Sequence, residues 1–125
     1  MKELYKINGR VIHGESRGKA LGFPTANIRL HKKIPEGVYA GSVMINSKMY
    51  YASTFVGSAE TFMQTAKRVE SYLFDFDKDL YGKWITVKLY EMVRGNKKFD
   101  SVDELVEQMK KDVQEIKEFF ATKSY

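Results

Sequence analysis

The sequence predicts a mainly β fold, in which five or six short antiparallel strands curl into a small barrel and one amphipathic helix packs outside it. Three observations carry this reading. Turn chemistry cuts the first part of the chain into short pieces. Between the turns, β-branched and aromatic residues alternate with polar ones at the period of a strand. From Ser101 the apolar period becomes that of a helix and keeps it as far as Phe120.

The turn signals are Asn8-Gly9, Pro35-Glu36-Gly37, Asn46-Ser47, Tyr81-Gly82 and Gly95-Asn96. Pro24 fixes its own φ and restricts Phe23 to extended geometry, so residues 23–28 are expected to run extended. Residues 38–45 are rich in strand formers, and residues 49–56 combine aromatic with β-branched side chains. Residues 64–69 admit a short helical turn. Residues 69–76 place Glu70, Tyr72, Phe74 and Phe76 on one face of a strand. In the next strand Ile85, Val87 and Leu89 alternate with Thr86, Lys88 and Tyr90. The pattern is an antiparallel meander, and a sheet of this size escapes open edges by closing on itself.

The closing helix carries Val102, Leu105, Val106, Met109, Val113, Ile116, Phe119 and Phe120 at helical spacing. Ser101 and Glu104 form a capping box at its start, and Glu107 with Lys111 makes an exposed pair one turn apart. It should run for about five turns.

With 125 residues the chain suits a single domain, residues 1–125, with one modest core. There is no run of 18 apolar residues, and the opening MKELYKINGR lacks the apolar region of a secretory signal, so a soluble cytoplasmic protein is expected. No strongly apolar segment is left over after sheet and helix, which favours a monomer without a membrane partner. The absence of cysteine excludes disulfides, thiolate zinc sites and cysteine nucleophiles. A net charge of +5 favours polyanions such as nucleotides, nucleic acid or anionic membrane, or else marks no more than a solvated basic surface.

Two motif-like stretches fail on inspection. Gly14-Glu15-Ser16-Arg17-Gly18-Lys19-Ala20 is one residue too short between its glycines for a P-loop, and Ala20 stands where a hydroxyl must reach magnesium. What survives is a basic, glycine-flanked loop whose amides, Arg17 and Lys19 can cover phosphates, or else an ordinary hairpin loop. Asp75, Asp77 and Asp79 open like a calcium loop, but Leu80 and Thr86 occupy its glycine and glutamate positions, so a solvated turn is expected. His13 and His31 have no partners that would make a triad or a metal site.

Thr25 and Asn27 are more informative. In an extended segment they point to the same side and offer two uncharged oxygen donors. Magnesium, its charge balanced by substrate phosphates, suits such neutral ligands. The competing reading is a turn in which both bond their own backbone.

The ordered set GRVIHG (9–14), GKALGFPTAN (18–27), PEGVYA (35–40), VESYLFDF (69–76) with DLYG (79–82), and the stretch from Arg94 to Phe99 resembles the riboflavin kinase (flavokinase) family. The resemblance runs from about residue 7 to residue 118, and GFPTAN with the glutamate ahead of DF and DLYG is its most specific part. It implies a six-stranded antiparallel Greek-key barrel with the C-terminal helix packed outside. It also implies transfer of phosphate from ATP to the 5′-hydroxyl of riboflavin, giving FMN and ADP with Mg²⁺ as the metal. By position, Glu70 matches the catalytic carboxylate, and Thr25 and Asn27 match the metal ligands. Gly14, Arg17, Gly18, Lys19 and Pro24 join them as nucleotide-binding positions, and Arg94, Lys98 and Phe99 match the loop that closes on the flavin.

Three departures stand out. Where the family commonly has Asn-x-Gly-x-x-Pro-Thr, this chain has FVGSAET (55–61); Lys19 replaces a frequent arginine; and Gly95-Asn96 replaces a more rigid flavin loop. Bacterial relatives often carry an adenylyltransferase domain in front, so this chain alone is not expected to make FAD. A flavin-binding or regulatory module on the same barrel is the alternative. Single-stranded nucleic acid binding is a weaker one, supported by charge and aromatics alone.

Overall fold

The computed structural model describes residues 1–13, 22, 24–60 and 65–123, the side chains of 59, 60, 65 and 66 aside. Six strands and one helix follow each other: β1 Tyr5–Arg10, β2 Ala26–Arg29, β3 Gly37–Ile45, β4 Lys48–Glu60, β5 Thr65–Leu73, β6 Trp84–Arg94 and α1 Val102–Lys123. All pairings are antiparallel, in the order β1-β6-β3-β4-β5-β2. Strands β3, β4 and β5 are consecutive neighbours and β6 returns beside β3, which is the Greek-key arrangement. The two ends of the sheet meet where the Ile12 amide donates to the Asn27 carbonyl at 2.8 Å, so the barrel is nearly closed.

Local chemistry explains the strand junctions. Asn46 and Ser47 both have positive φ, 47° and 77°, as a two-residue hairpin loop matched to strand twist requires. Register shifts between Val38 and Tyr39, and again between Ala40 and Gly41, bend β3 against β6 and help the sheet to curl.

Several expected boundaries move. Asn8-Gly9 is not a turn but lies inside β1, where Asn8 Oδ1 accepts from Thr86 Oγ1 at 2.7 Å. Glycine is used there for close approach, since a Cβ at position 9 would stand 3.1 Å from the Ile28 Cβ. Residues 65–69 are strand, not a helical turn, while Gln64 lies outside the described residues. Strand β5 stops at Leu73, and Asp75 turns the chain with φ 57°. Phe76 therefore leaves the face of Glu70, Tyr72 and Phe74 and packs edge-on against Tyr50, 4.8 Å between ring centres, at the barrel core.

Alternation gives the sheet two apolar faces. Inside the barrel lie Ile7, Ile28, Tyr39, Val43, Val56, Val69, Val87 and Leu89, all buried. The outer face of the β3, β4 and β6 region is covered by α1, with Val38, Ala40, Phe74, Ile116 and Phe120 buried between them. Tyr51 stacks on Phe120 at 3.9 Å. The helix is longer than expected at 22 residues, and its deeply buried stripe is Asp112, Ile116 and Phe120, one residue per turn. Ser101 caps it through a 3.2 Å bond to the Glu104 amide, while the Glu104 carboxylate reaches the Asp100 amide instead of that of Ser101. Glu107 pairs with Lys110 at 3.6 Å, three residues on, rather than with Lys111.

Tyr39 is 1% exposed and its hydroxyl donates to the Pro35 carbonyl at 2.6 Å. Burial, and secondarily the neighbouring Tyr5, raise its pKa above the ordinary 10.0. The unfolded tyrosine therefore ionises first, so stability that is complete below pH 10 is lost as pH rises towards the folded value. Tyr39→Phe is expected to cost about 1 kcal/mol at neutral pH by losing the hydrogen bond. It should also lose less stability than the parent above pH 10, which urea denaturation at the two pH values measures.

Candidate active site

Residues directly opposite in an antiparallel pair share a face. Asn27 of β2 stands opposite Glu70 of β5, Glu70 opposite Phe55 of β4, Phe55 opposite Val38 of β3, and Val38 opposite Arg94 of β6. Their neighbours Ala26, Ile28, Val69 and Val56 fill the barrel interior, so this row points outward. One line across five strands thus joins Asn27 and Glu70 at one end to Arg94 at the other.

At the first end, the Asn27 amide nitrogen donates to the Thr25 carbonyl at 3.3 Å and to its Oγ1 at 3.2 Å. That contact is the local bonding a turn reading expects, yet it engages only the nitrogen. Asn27 is 4% exposed, and its Oδ1 has no hydrogen-bond partner among the described residues. A buried amide oxygen left this way costs on the order of 1–3 kcal/mol unless something else binds it. Together with the adjacent Thr25 hydroxyl it makes a set of hard, neutral oxygens, which fits magnesium.

Glu70 sits outside the barrel, yet its side chain is only 25% exposed, and Arg68 Nε holds its Oε1 at 3.0 Å. Two residues earlier on the same strand, Arg68 shares Glu70's face and lies opposite both Arg29 and Gly57. Phe55 folds back across Gly57, where any Cβ would collide with its ring. The departing FVGSAET stretch therefore continues as strand through residue 60, with an aromatic floor beside Glu70; Thr61 lies outside the described residues.

At the other end, Arg94 grips Asp112 with two bonds, Nε to Oδ1 and Nη2 to Oδ2, both 2.8 Å, and Nη1 donates to the Gly95 carbonyl at 3.1 Å. Gln108 adds a third bond to Asp112 Oδ1 at 3.0 Å. The Phe99 ring lies under both Arg94, at 5.8 Å, and Lys97, at 5.6 Å. Between this loop and the first turns of α1 is an open groove of about 390 Å³, walled by Lys97, Phe99, Glu107, Gln108 and Lys111 among others. Lys98 is exposed and does not line it.

The structure thus gathers Thr25, Asn27 and Glu70 at one end of the row and Arg94 with Phe99 at the other, while Pro24 lies exposed just before Thr25. Gly14, Arg17, Gly18 and Lys19 lie outside the described residues. Sequence reasoning missed Arg68, Gln108 and Asp112. Arg68 was readable from the strand period relative to Glu70, and Asp112 as a charge falling on the apolar stripe of Ile116 and Phe120. Elsewhere, His13 stacks on Tyr81 at 3.7 Å, and Asp79 accepts the Tyr81 amide at 2.9 Å as a turn residue does. Among the described residues no group of three or more His, Asp or Glu could hold a metal.

The fold is thus a Greek-key barrel with neutral oxygens and a carboxylate at one end of an outward row and, at the other, a groove between a loop and the first turns of α1. The chain belongs to the riboflavin kinase family, whose flavokinase model matches residues 1–120. It is similar to the bifunctional riboflavin kinase/FMN adenylyltransferase of Haemophilus influenzae, 40% identical over 119 residues, covering 93% of this chain and 39% of that relative's length. A solved Streptococcus pneumoniae structure described as a macrolide-efflux protein superimposes with a TM-score of 0.78 at 40% identity, covering 87% of this chain and 37% of that one. The riboflavin kinase of Trypanosoma brucei gives 0.65 at 28% identity, over 93% of this chain and 79% of that one.

Gly57→Ala forces the Phe55 ring off its seat and is expected to cost about 1–3 kcal/mol. Most of that cost should vanish in a Phe55→Ala background, which a denaturation cycle on the four proteins measures.

Proposed function

We propose that the chain transfers the terminal phosphate of ATP to the 5′-hydroxyl of riboflavin, giving FMN and ADP, with magnesium as the metal and residues 1–125 acting as a single kinase domain. The observation that carries this reading is the pairing of Asn27 with Glu70, an unpartnered buried oxygen and a carboxylate side by side on one outward face. Thr25 Oγ1 and Asn27 Oδ1 are the oxygens that would hold the metal. Magnesium, when bound, supplies the charge neutralisation that the phosphates need.

The chain's own residues do the rest. The Asn27 to Thr25 hydrogen bond ties the two side chains together through the amide nitrogen and leaves Oδ1 without a partner among the described residues. Glu70, held by Arg68, orients the riboflavin 5′-hydroxyl and takes its proton as the oxygen attacks phosphorus and the bond to ADP breaks. The isoalloxazine ring occupies the groove beside Phe99, whose ring offers a stacking face, while the rim of Lys97, Lys111, Gln108 and carboxylates offers polar partners for the flavin's carbonyls and nitrogens. Gly14, Arg17, Gly18, Lys19 and Pro24 complete the nucleotide site, and Lys98 is available to the flavin phosphate side of the loop. No described helix is long and apolar enough to cross a membrane. We take the protein to be a cytoplasmic monomer acting on small molecules.

The test is chromatographic: riboflavin and Mg²⁺ with ATP, and in parallel with CTP, followed for FMN. Glu70→Gln should lower turnover about 10²–10⁴-fold while flavin and nucleotide still bind. Thr25→Ala should lower turnover and raise the magnesium concentration required. No FMN from either nucleotide, with riboflavin or FMN tightly bound, would overturn the kinase reading in favour of a flavin-binding module.

A further inference from the structure

We infer that Asp112 is a positioning residue for flavin binding, one carboxylate that ties together both walls of the groove; the inference rests on the groove being the flavin site. Asp112 is 4% exposed on the same helix stripe as Ile116 and Phe120, in the middle of an apolar interface. A carboxylate is retained in such a place only with full compensation, because an unpaired buried charge is strongly destabilising. The compensation comes from two directions.

On the loop side, Arg94 is the last residue of β6, so its two-pronged grip on Asp112 fixes the point at which the chain leaves the barrel. The same guanidinium holds the Gly95 carbonyl and lies over the Phe99 ring, which carries the order of the pair into the groove's loop wall. On the helix side, Gln108 lines the groove and donates to the Oδ1 that Arg94 also uses. Loop wall and helix wall are therefore referenced to one carboxylate. The Gly95-Asn96 sequence offers little stiffness of its own, and the Asn96 contact to Glu36 at 3.1 Å is exposed, so the spacing of the groove depends on Asp112.

A merely structural helix clamp would change stability without selecting between substrates. Asp112→Asn keeps the shape but loses the charge and one acceptor for Arg94. In the full chain we expect the riboflavin KM, and the flavin Kd read by fluorescence quenching, to rise about tenfold or more. The ATP KM should stay within about threefold. Ile116→Ala, buried on the same stripe, is the stability control: it should lower Tm while leaving the riboflavin to ATP ratio of KM values unchanged. Asp112→Glu keeps the charge but displaces the carboxylate from Arg94 and Gln108 and should reproduce the flavin-selective loss, and it replaces Asp112→Asn if that variant does not fold. Equal changes in both KM values, or an Asp112→Asn that resembles Ile116→Ala, overturns the inference. Should the parent bind flavin without making FMN, the kinase reading fails while the Kd ratio still decides the role of Asp112. A parent that binds no flavin overturns both.

Discussion

The barrel closes at Asn27, and the site depends on that closure. Its residue pairs with Glu70 on one side, and its carbonyl accepts the Ile12 amide on the other, joining the two ends of the sheet. A slip of one residue in β2 would turn Asn27 into the interior and Ile28 out of it. Ile28 is fully buried and Ala26 nearly so, so the cost of losing that burial, about 1.5–3 kcal/mol for the isoleucine alone, holds the register. Core packing thus fixes the register, and the register sets a neutral oxygen beside a carboxylate.

The outer face is divided by use. Over β3, β4 and β6 it is apolar and covered by α1, whereas over β2 and β5 it carries Asn27, Arg29, Arg68 and Glu70. The boundary runs through Phe55, which packs with the helix cluster while standing next to Glu70 in the row. Binding chemistry can be placed on this outer surface because stability comes mainly from the separate core inside the barrel. Arg94 and Asp112 are the exception, an ion pair set within the apolar interface, and their geometry joins helix, strand and loop at one point.

Much of this was legible in the sequence. Strand patterning located β3, β4, β6 and the second half of β5, the Asn46-Ser47 pair marked the hairpin, and the extended reading after Pro24 put Thr25 and Asn27 on one side. What alternation cannot supply is partnership: that Asn27 faces Glu70, forty-three positions later, follows from strand order and register, which local pattern does not encode. Asn8-Gly9 misled because glycine serves close backbone crossings as well as turns. Phe76 misled because the strand period was carried past a left-handed Asp75. Alternation alone does not say which face of β5 is outside: Glu70 lies on the outer one, where Arg68 supplies its partner. Asp112 escaped because a helix read by its apolar positions hides the one charge on its buried stripe.

The most direct test of the closure-built site is a crystal structure with Mn²⁺ and ADP, the manganese located by its anomalous signal. The expected result is a peak bonded to both Asn27 Oδ1 and Thr25 Oγ1, at about 2.0–2.2 Å, on the face that Glu70 shares. A metal held elsewhere, with Asn27 Oδ1 hydrogen-bonded to protein, would contradict it and return the Thr25 and Asn27 pair to a turn.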